Sequence, residues 1–277
     1  MPGSLCPPKT GPALTTAMDH SRLPCATHCV IIPSYNSGPL LDPTLRATLA
    51  HWAPIFLVVD GSTDDSDRCA DILRAEGAPL EVLRLAKNQG KGGAVLAALK
   101  LAYSKGLTHA IIFDSDGQHE APDIPRMIAL SKKHPEAMIL GVPIFAKDAP
   151  ALRVKGRCVG NWWTNFETLW GGIEDSLFGF RLYPVAEAIA VLDSIRGGRR
   201  FDFETQLAVR LYWRGVPALS FPSKVTYPLK TSGGVSHFKY LRDNVLLFWT
   251  HFKLSLRAVF LFPRLVQLRI KNRAYRS

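Results

Sequence analysis

The stretch AIIFDSDGQH, residues 110–119, joins an apolar run to two aspartates that are separated by a single residue. The run is typical of a short buried strand, and it stops abruptly at Asp114. Alternate residues of an extended chain point in the same direction, so Asp114 and Asp116 can both face one edge of a sheet. Their carboxylate oxygens are the hard ligands that Mg²⁺ or Mn²⁺ prefers. Because an Asp-x-Asp pair also occurs in ordinary surface loops, the surrounding sequence has to decide between the two interpretations.

The chain before this stretch repeats a unit of strand, loop and helix. Helices are predicted at about residues 39–51, from the end of the loop of residues 60–64 to about residue 76, and at about residues 94–105. Earlier strands are predicted at two apolar runs, Cys29–Pro33 and Ile55–Val59, and at Leu80–Leu85. Strands that alternate with helices of this length predict an α/β fold, with a mostly parallel, doubly wound sheet flanked by helices.

A polar cluster follows each predicted strand. In such sheets, ligands bind at the carboxyl ends of the strands. The clusters are Tyr35–Asn36, Asp60–Asp64, Asn88–Lys91 and Asp114–Gln118. Each one alone could cap a helix or form a turn. Because all four converge on one rim beside a metal-type pair of aspartates, together they predict a pocket for a nucleoside diphosphate.

Charge and cysteine content narrow the possible partners and the cellular compartment. The 277 residues are 47% hydrophobic, which is enough for a large core, and the net charge is +11. Residues 239–277 contain nine basic residues and one acidic residue, so this end supplies eight of the eleven net charges. The five cysteines include no Cys-x-x-Cys pair, which favours a reducing, cytoplasmic compartment. Residues 1–27, rich in Pro, Gly, Ser and Thr, are predicted to be a disordered leader.

Four motifs together resemble a known family. VIIPSYN (30–36), VVDGSTDDS (58–66), NQGKGGA (88–94) and FDSDGQH (113–119) stand in the order and spacing of the family 2 inverting nucleotide-sugar glycosyltransferases. Within that family they are most similar to the branch of dolichol-phosphate mannose synthase and the polyprenyl-phosphate glycosyltransferases. The resemblance covers roughly residues 29–214 and implies the GT-A, Rossmann-like, fold. The chain lacks a GxxxxGK[ST] loop and a GxGxxG after its first strand, which disfavours a P-loop ATPase or a dehydrogenase.

The resemblance also implies a donor site and a metal. Asp116 and Asp114 would hold Mg²⁺ or Mn²⁺, with Asp116 the firmer ligand. The residues implied for the nucleoside-diphosphate sugar are Pro33, Tyr35, Asn36, Asp60, Ser62, Asp64, Lys91, Asp114, Ser115 and Asp116.

The acceptor side is predicted from later segments. The resemblance implies Arg153 and Arg157 as acceptor-binding arginines, although both could instead be solvated charges of an amphipathic helix. The motif DSLFGFR (175–181) implies two catalytic residues, Asp175 as base or acceptor orienter and Arg181 as a cation that would hold a phosphate acceptor. Glu204 is a rival carboxylate, and Asp202 is predicted to cap a helix. In the loop of residues 227–239, His237 could contact the acceptor or the diphosphate. A hydroxyl acceptor would need a base, whereas a phosphate monoester, with a second pKa of about 6, needs cations more.

The last long predicted helix bears on whether the protein associates with a membrane. Residues 245–262 are strongly apolar, but His251, Lys253 and Arg257 interrupt them, which disfavours a membrane span. At about 100° per residue, the polar residues fall in one sector and leave a broad apolar face. This pattern predicts an interfacial helix ending near Pro263 within a basic, amphipathic, membrane-associating segment, residues 239–277. The alternative is that the apolar face packs on the globular domain, predicted for residues 28–238.

These observations predict an inverting, metal-dependent glycosyltransferase that moves a sugar from a nucleoside-diphosphate donor to a lipid-linked, polyprenyl-phosphate-like acceptor. The protein is expected to lie peripherally on the cytosolic face of a membrane, and nucleic acid is not an expected partner. A glycosyltransferase acting on a lipid or soluble hydroxyl, or a membrane-recruited module that binds nucleotide sugar without catalysis, remains an alternative.

Overall fold

The computed structural model describes residues 25–145, 151–195, 197, 200, 202–226 and 240–275, and of residues 151–155, 240–242 and 274 it describes the backbone alone. Residues 1–24 of the predicted leader therefore lie outside the described part. The last residues of the predicted leader, 25–27, form hydrogen bonds with the folded domain. The Cys25 amide donates to the Ala53 carbonyl (3.0 Å), and the Thr27 carbonyl accepts from the amides of Thr108 (2.9 Å) and His109 (3.0 Å).

The described residues form one seven-stranded sheet with helices on both faces. The strands are β1 (His28–Ser34), β2 (Ile55–Asp60), β3 (Leu80–Leu85), β4 (His109–Ile112), β5 (Met138–Ile144), β6 (Arg181–Pro184) and β7 (Ala218–Lys224). The α-helices are α1 (Leu41–His51), α2 (Arg68–Ala75), α3 (Lys91–Ser104), α4 (Asp123–Lys133), α5 (Ala151–Glu167), α6 (Val185–Ser194), α7 (Phe203–Arg214), α8 (Tyr240–Phe260) and α9 (Phe262–Asn272).

The strand order is β3-β2-β1-β4-β6-β5-β7. Strands β1 to β4 are mutually parallel, as are β5 and β7, and β6 runs antiparallel to both of its neighbours. The prediction of an α/β fold with a mostly parallel sheet is thus confirmed, and so are the four predicted strands. Because β1, β2 and β4 are parallel neighbours or near neighbours, their carboxyl ends share one rim of the sheet.

The apolar runs are explained by burial on both faces. Along β1, Cys29 and Ile31 contact the layer that contains α3, α6 and α7, whereas Val30 and Ile32 contact the layer that contains α1, α2 and α4. A strand covered on both faces reads as a continuous apolar run instead of an alternating one.

The C-terminal segment folds as two helices where one was predicted. Helices α8 and α9 meet at a bend of 89°, and Pro263 lies in the first turn of α9, a position where its missing N–H is tolerated. In the described part of the chain, no single helix has the length and hydropathy of a membrane span, although α8 and α9 taken together across their bend do.

Helix α8 buries some of its polar residues and exposes others, among them Lys253 and Arg257. Thr250, His251 and Ser255 are buried, whereas Phe248 and Trp249, like the other large apolar residues of this face, are about half exposed. The exposed residues, which we call the α8 apolar face, are Val245, Phe248, Trp249, Phe252, Leu256, Val259 and Phe260. The apolar residues of α8 therefore divide into two groups, because Leu254 and Ala258 pack into the core of the body whereas the α8 apolar face is about half exposed.

Candidate active site

Two of the predicted donor loops are tied to each other. The Asn36 amide donates to Ser62 Oγ (3.0 Å), and Asn36 Oδ1 accepts from the Thr63 amide (2.8 Å). Asp64 Oδ2 accepts from the Gly38 amide (2.9 Å). The loops after β1 and β2 are thus held side by side at the rim, as the sequence predicted, and Asn36, Ser62 and Asp64 supply the bonds between them.

Asp60 joins the end of β2 to the glycine-rich loop. Its side chain is buried, and its two oxygens accept from the amides of Gln89 (2.7 Å) and Gly90 (2.9 Å). Burial raises the pKa of Asp60, and these two amides act in the opposite direction. Gly61 has a φ of +68°, and a Cβ there would lie 2.6 Å from the Asn88 nitrogen. The sharp turn after β2 therefore needs glycine.

The remaining donor residues line the same rim. Tyr35 is 37% exposed, Pro33 is partly buried, and Ser115 Oγ shares a hydrogen bond with Ser37 Oγ (2.7 Å). Tyr35 is therefore the most accessible aromatic ring at the end of β1, where a base could stack.

The two aspartates that follow β4 differ in their partners. Asp114 Oδ1 lies 2.5 Å from Lys91 Nζ, and Asp114 Oδ2 lies 3.4 Å from His119 Nε2. Burial alone would raise the pKa of Asp114, but the ammonium of Lys91 outweighs it and holds that pKa well below its usual range. Asp116 Oδ1 accepts from the Gln118 amide (3.1 Å), and burial together with the charge of Asp114 raises the pKa of Asp116.

This arrangement fits a divalent cation. Asp114 and Asp116 are separated by one residue, and burial together with the charge of Asp114 raises the pKa of Asp116, an effect that a divalent cation would offset. The described residues contain no group of three or more His, Cys, Asp or Glu side chains that could hold a metal. Mg²⁺ is usually bound through one or two carboxylates with water and substrate phosphates, so Asp114 and Asp116 suit a metal that shares its ligands with a diphosphate.

On the acceptor side, Asp175 is the centre of a dense set of donors. Its Oδ1 accepts from Arg157 Nη1 (2.6 Å) and from the amides of Leu177 (2.9 Å) and Phe178 (2.7 Å), and its Oδ2 accepts from Asn161 Nδ2 (3.3 Å). The residue is only 2% exposed. Asp175 therefore orients the guanidinium of Arg157, which also lies 5.6 Å from the ring centroid of Phe145.

Arg181 is fully buried, and its guanidinium donates to protein oxygens. Nε donates to the Phe178 carbonyl (2.6 Å), Nη1 to the Glu204 carbonyl (3.0 Å) and Nη2 to the Asp175 carbonyl (3.3 Å). In this structure Arg181 offers no exposed donor to a ligand, and it joins the Asp175 loop to the start of α7.

Of the other predicted residues, Glu204 contacts the site and Asp202 does not, as their partners show. Glu204 Oε1 lies 2.5 Å from Lys91 Nζ. Asp202 precedes α7 at the cap position but makes no capping hydrogen bond, and its Oδ2 instead accepts from Gln206 Nε2 (2.8 Å). The side chain of Arg153 and all of His237 lie outside the described residues.

Asn161 stands four residues after Arg157 on α5, a spacing that places both on one helical face. Sequence reasoning assigned no role to two other contributors, His119 and Gly179. His119 lies within 4.8 to 5.7 Å of the rings of Phe113, Phe178 and Phe180. A Cβ on Gly179 would lie 2.2 Å from Asp114 Oδ2, and no local pattern signals that approach.

The sheet order and the rim of aspartates, lysine and glycine-rich loop define a GT-A glycosyltransferase fold. A family model for glycosyl transferase family 2 matches residues 29–185, more than half of the chain. The chain belongs to glycosyl transferase family 2.

Relatives and solved structures agree with this assignment. The chain is 28% identical over 193 residues to a UDP-N-acetylglucosamine–dolichyl-phosphate N-acetylglucosaminyltransferase of Methanococcus voltae, covering 62% of this chain and 75% of that one. It is 30% identical over 199 residues to a dolichyl-phosphate beta-glucosyltransferase of Drosophila melanogaster, covering 63% of this chain and only 60% of that one. A mannosyltransferase from Pyrobaculum calidifontis, in complex with GDP-Man and Mn²⁺, has a TM-score of 0.60 at 17% identity, covering 88% of this chain and 67% of that one. At that identity, the likeness shows the fold.

Proposed function

We propose that this protein is an inverting, metal-dependent glycosyltransferase that moves a sugar from a nucleoside-diphosphate donor to a lipid-linked phosphate at a membrane surface. The observation that carries the proposal is a continuous polar network between the aspartates after β4 and Arg157. Lys91 contacts both Asp114 and Glu204, and Arg181 bonds the backbone of Glu204 and of Asp175. Asp175 in turn holds Arg157, so a metal-type site and a cationic site are fixed relative to each other.

The donor half follows from the rim. A divalent cation held by Asp114 and Asp116 would offset the negative charge that develops on the leaving nucleoside diphosphate. Lys91 supplies a second positive charge beside the same carboxylate. The loops joined by Asn36 and Asp60 would hold the nucleoside at the end of β1, next to the exposed ring of Tyr35.

The acceptor half favours a phosphate over a hydroxyl. Asp175 is buried and accepts from Arg157, from two amides and from Asn161, so it is poorly placed to take a proton from an incoming group. Glu204 is held by Lys91. A phosphate monoester is already deprotonated near neutral pH and needs a cation to hold it, which Arg157 provides. Its oxygen would bond to the anomeric carbon as the nucleoside diphosphate leaves. The two dolichyl-phosphate enzymes among the relatives support this choice.

The membrane part of the proposal rests on the α8 apolar face. Phe248, Trp249 and Phe252 are each about half exposed, and the exposed apolar residues continue onto α9 with Phe262 and Ile270. Exposed apolar patches of this kind mark interaction sites, and basic residues such as those of α9 favour anionic lipid. Cys25, Cys29, Cys69 and Cys158 are free thiols, which supports a location on the cytosolic face.

The direct test is sugar transfer by the full chain. UDP- and GDP-sugars would be offered with Mn²⁺, Mg²⁺ or a chelator, and a short polyprenyl phosphate would be compared with the matching polyprenol. We expect transfer to the phosphate, and we expect the chelator to abolish it. Equal or better transfer to the alcohol would overturn the acceptor assignment, and transfer that survives the chelator would overturn the metal assignment.

Two variants separate the donor and acceptor halves. Asp116→Asn should lower turnover by roughly 100-fold or more, because it removes a charge from the metal site. Asp175→Asn should raise the KM for the acceptor while donor binding, measured by calorimetry, is retained. The matched control is Asp193→Asn, since Asp193 forms an exposed ion pair with Lys100 far along α3. Loss of donor binding in Asp175→Asn would contradict the division of roles.

A further inference from the structure

Lys91 lies between two carboxylates of the site. Its Nζ is 2.5 Å from Asp114 Oδ1 and 2.5 Å from Glu204 Oε1, and its side chain is only 19% exposed. Glu204 comes from the start of α7, 113 residues further along the chain. The ammonium of Lys91 is thus held between two carboxylates and supplies a positive charge at this point of the site.

The two oxygens of Asp114 are both crowded by protein atoms. A Cβ on Gly179 would lie 2.2 Å from Asp114 Oδ2 and 2.9 Å from Lys91 Nζ, so the backbone of Gly179 packs closely against this pair. His119 Nε2 lies 3.4 Å from Oδ2, and its side chain is 3% exposed. Oδ1 is fully buried next to Lys91, so a metal ion that binds Oδ1 has to displace Lys91.

We propose that Lys91 is a resident counter-ion that competes with the divalent cation for Asp114, and that Glu204 is the positioning residue that keeps Lys91 in the site when the cation takes its place. This inference rests on the proposed metal site at Asp114 and Asp116. In the free protein, Lys91 balances the charge of Asp114, so the metal binds weakly. With a nucleoside diphosphate present, the phosphates share the metal and attract the displaced ammonium, so metal and nucleotide bind together.

A simpler role for Glu204 makes a different prediction. If Glu204 acted only as one more negative charge near the metal, its removal would weaken metal binding to the same extent whether or not Lys91 is present. If it acts by holding Lys91 away from Asp114, its effect depends on Lys91. A double-mutant cycle measures that dependence.

The experiment measures Mn²⁺ binding to the full chain by calorimetry, with and without UDP or GDP, for the wild type and three variants. Lys91→Met should tighten Mn²⁺ binding in the absence of nucleotide by about tenfold or more, because the competing cation is gone. Glu204→Gln should weaken it by about fivefold or more. In the Lys91→Met background, Glu204→Gln should change the affinity by less than about twofold. Lys100→Met, on the exposed side of the same helix, is the control and should leave Mn²⁺ binding unchanged.

Stability provides a second readout, since Lys91→Met leaves the carboxylates of Asp114 and Glu204 without their cation. We expect this variant to unfold at a lower temperature than the wild type in chelator and to gain more stability from Mn²⁺. If Lys91→Met does not fold in chelator or in Mn²⁺, the Mn²⁺ affinity of Glu204→Gln becomes the deciding measurement. An affinity equal to that of the wild type would then overturn the inference. Equal Mn²⁺ affinity in Lys91→Met and the wild type also overturns it. Either of those results would leave the proposed function unaffected. If neither the wild type nor any variant binds Mn²⁺, even with nucleotide, the metal site itself is contradicted.

Discussion

The α8 apolar face allows a quantitative test of membrane binding. We expect the double substitution Trp249→Ala/Phe252→Ala to release the protein from lipid vesicles. The two rings are neighbours, with centroids 5.7 Å apart, and they are 52% and 47% exposed. Because they make only part of their contacts inside the protein, the variant should remain folded.

The size of the effect follows from the exposed fractions. Full burial of a large apolar side chain is worth about 1.5–3 kcal/mol, so transfer of the exposed half of each ring into the lipid interface contributes about 1 kcal/mol. Loss of both contributions, about 2 kcal/mol, corresponds to a roughly 30-fold weaker partition coefficient. The assay is flotation of the full chain with vesicles that contain phosphatidylglycerol, over a range of lipid concentrations.

A matched control removes the same kind of surface elsewhere. Ile72 on α2 and Tyr103 on α3 are 55% and 60% exposed, and they belong to helices other than α8 and α9. Ile72→Ala/Tyr103→Ala should leave the partition coefficient unchanged. Equal losses in the two double variants, or no loss in Trp249→Ala/Phe252→Ala, would refute the assignment of the face to lipid.

Two further predictions concern stability and the site. Burial lowers the pKa of His28 from 6.5 to about 4, so between these values the unfolded chain takes up a proton that the folded chain excludes. The free energy of unfolding should therefore fall by up to about 3 kcal/mol as pH drops from 6.5 to 4, and His28→Asn should flatten this slope in urea titrations whereas His51→Asn should not. Gly179→Ala should weaken Mn²⁺ and nucleotide binding, because its Cβ would lie 2.2 Å from Asp114 Oδ2. Gly156→Ala, which meets nothing within 4 Å, should bind both normally, and unchanged binding in Gly179→Ala would contradict the close approach.

Three of the four parallel strands at this side of the sheet, β1, β2 and β4, were predictable because strands buried on both faces appear in the sequence as unbroken apolar runs. Strand β6 was not predicted. It has only four residues and begins with Arg181, a residue that local patterns assign to a surface or a binding site. Its position between β4 and β5 depends on pairing with residues about 40 and 70 positions earlier, and the local sequence carries no record of that pairing.

The candidate site was likewise predictable only in part. Residues that sit directly after a strand, such as Asp60 and Asp114, were located from the sequence because the end of the strand fixes the rim. The interpretation of Arg181 as a ligand-facing cation followed from its motif, yet its guanidinium reaches three backbone carbonyls within the protein. The contact between Lys91 and Glu204 joins positions 113 residues apart. Spacing can reveal which residues share a rim, but it cannot reveal which charges are already neutralised by protein partners.

Helix α8 shows why periodicity alone could not settle the orientation of its apolar face. A helical pattern separates polar from apolar residues, but a polar residue that is hydrogen-bonded inside the protein looks the same in sequence as one in water. Thr250 donates to Asp202 (3.3 Å), and Ser255 donates to Glu167 (3.3 Å), which also pairs with His251 (2.9 Å). These partners lie 48 to 88 residues earlier in the chain, at the end of α5 and just before α7. Because the body of the protein supplies buried carboxylates there, these three polar side chains pack inward and the α8 apolar face is left about half exposed.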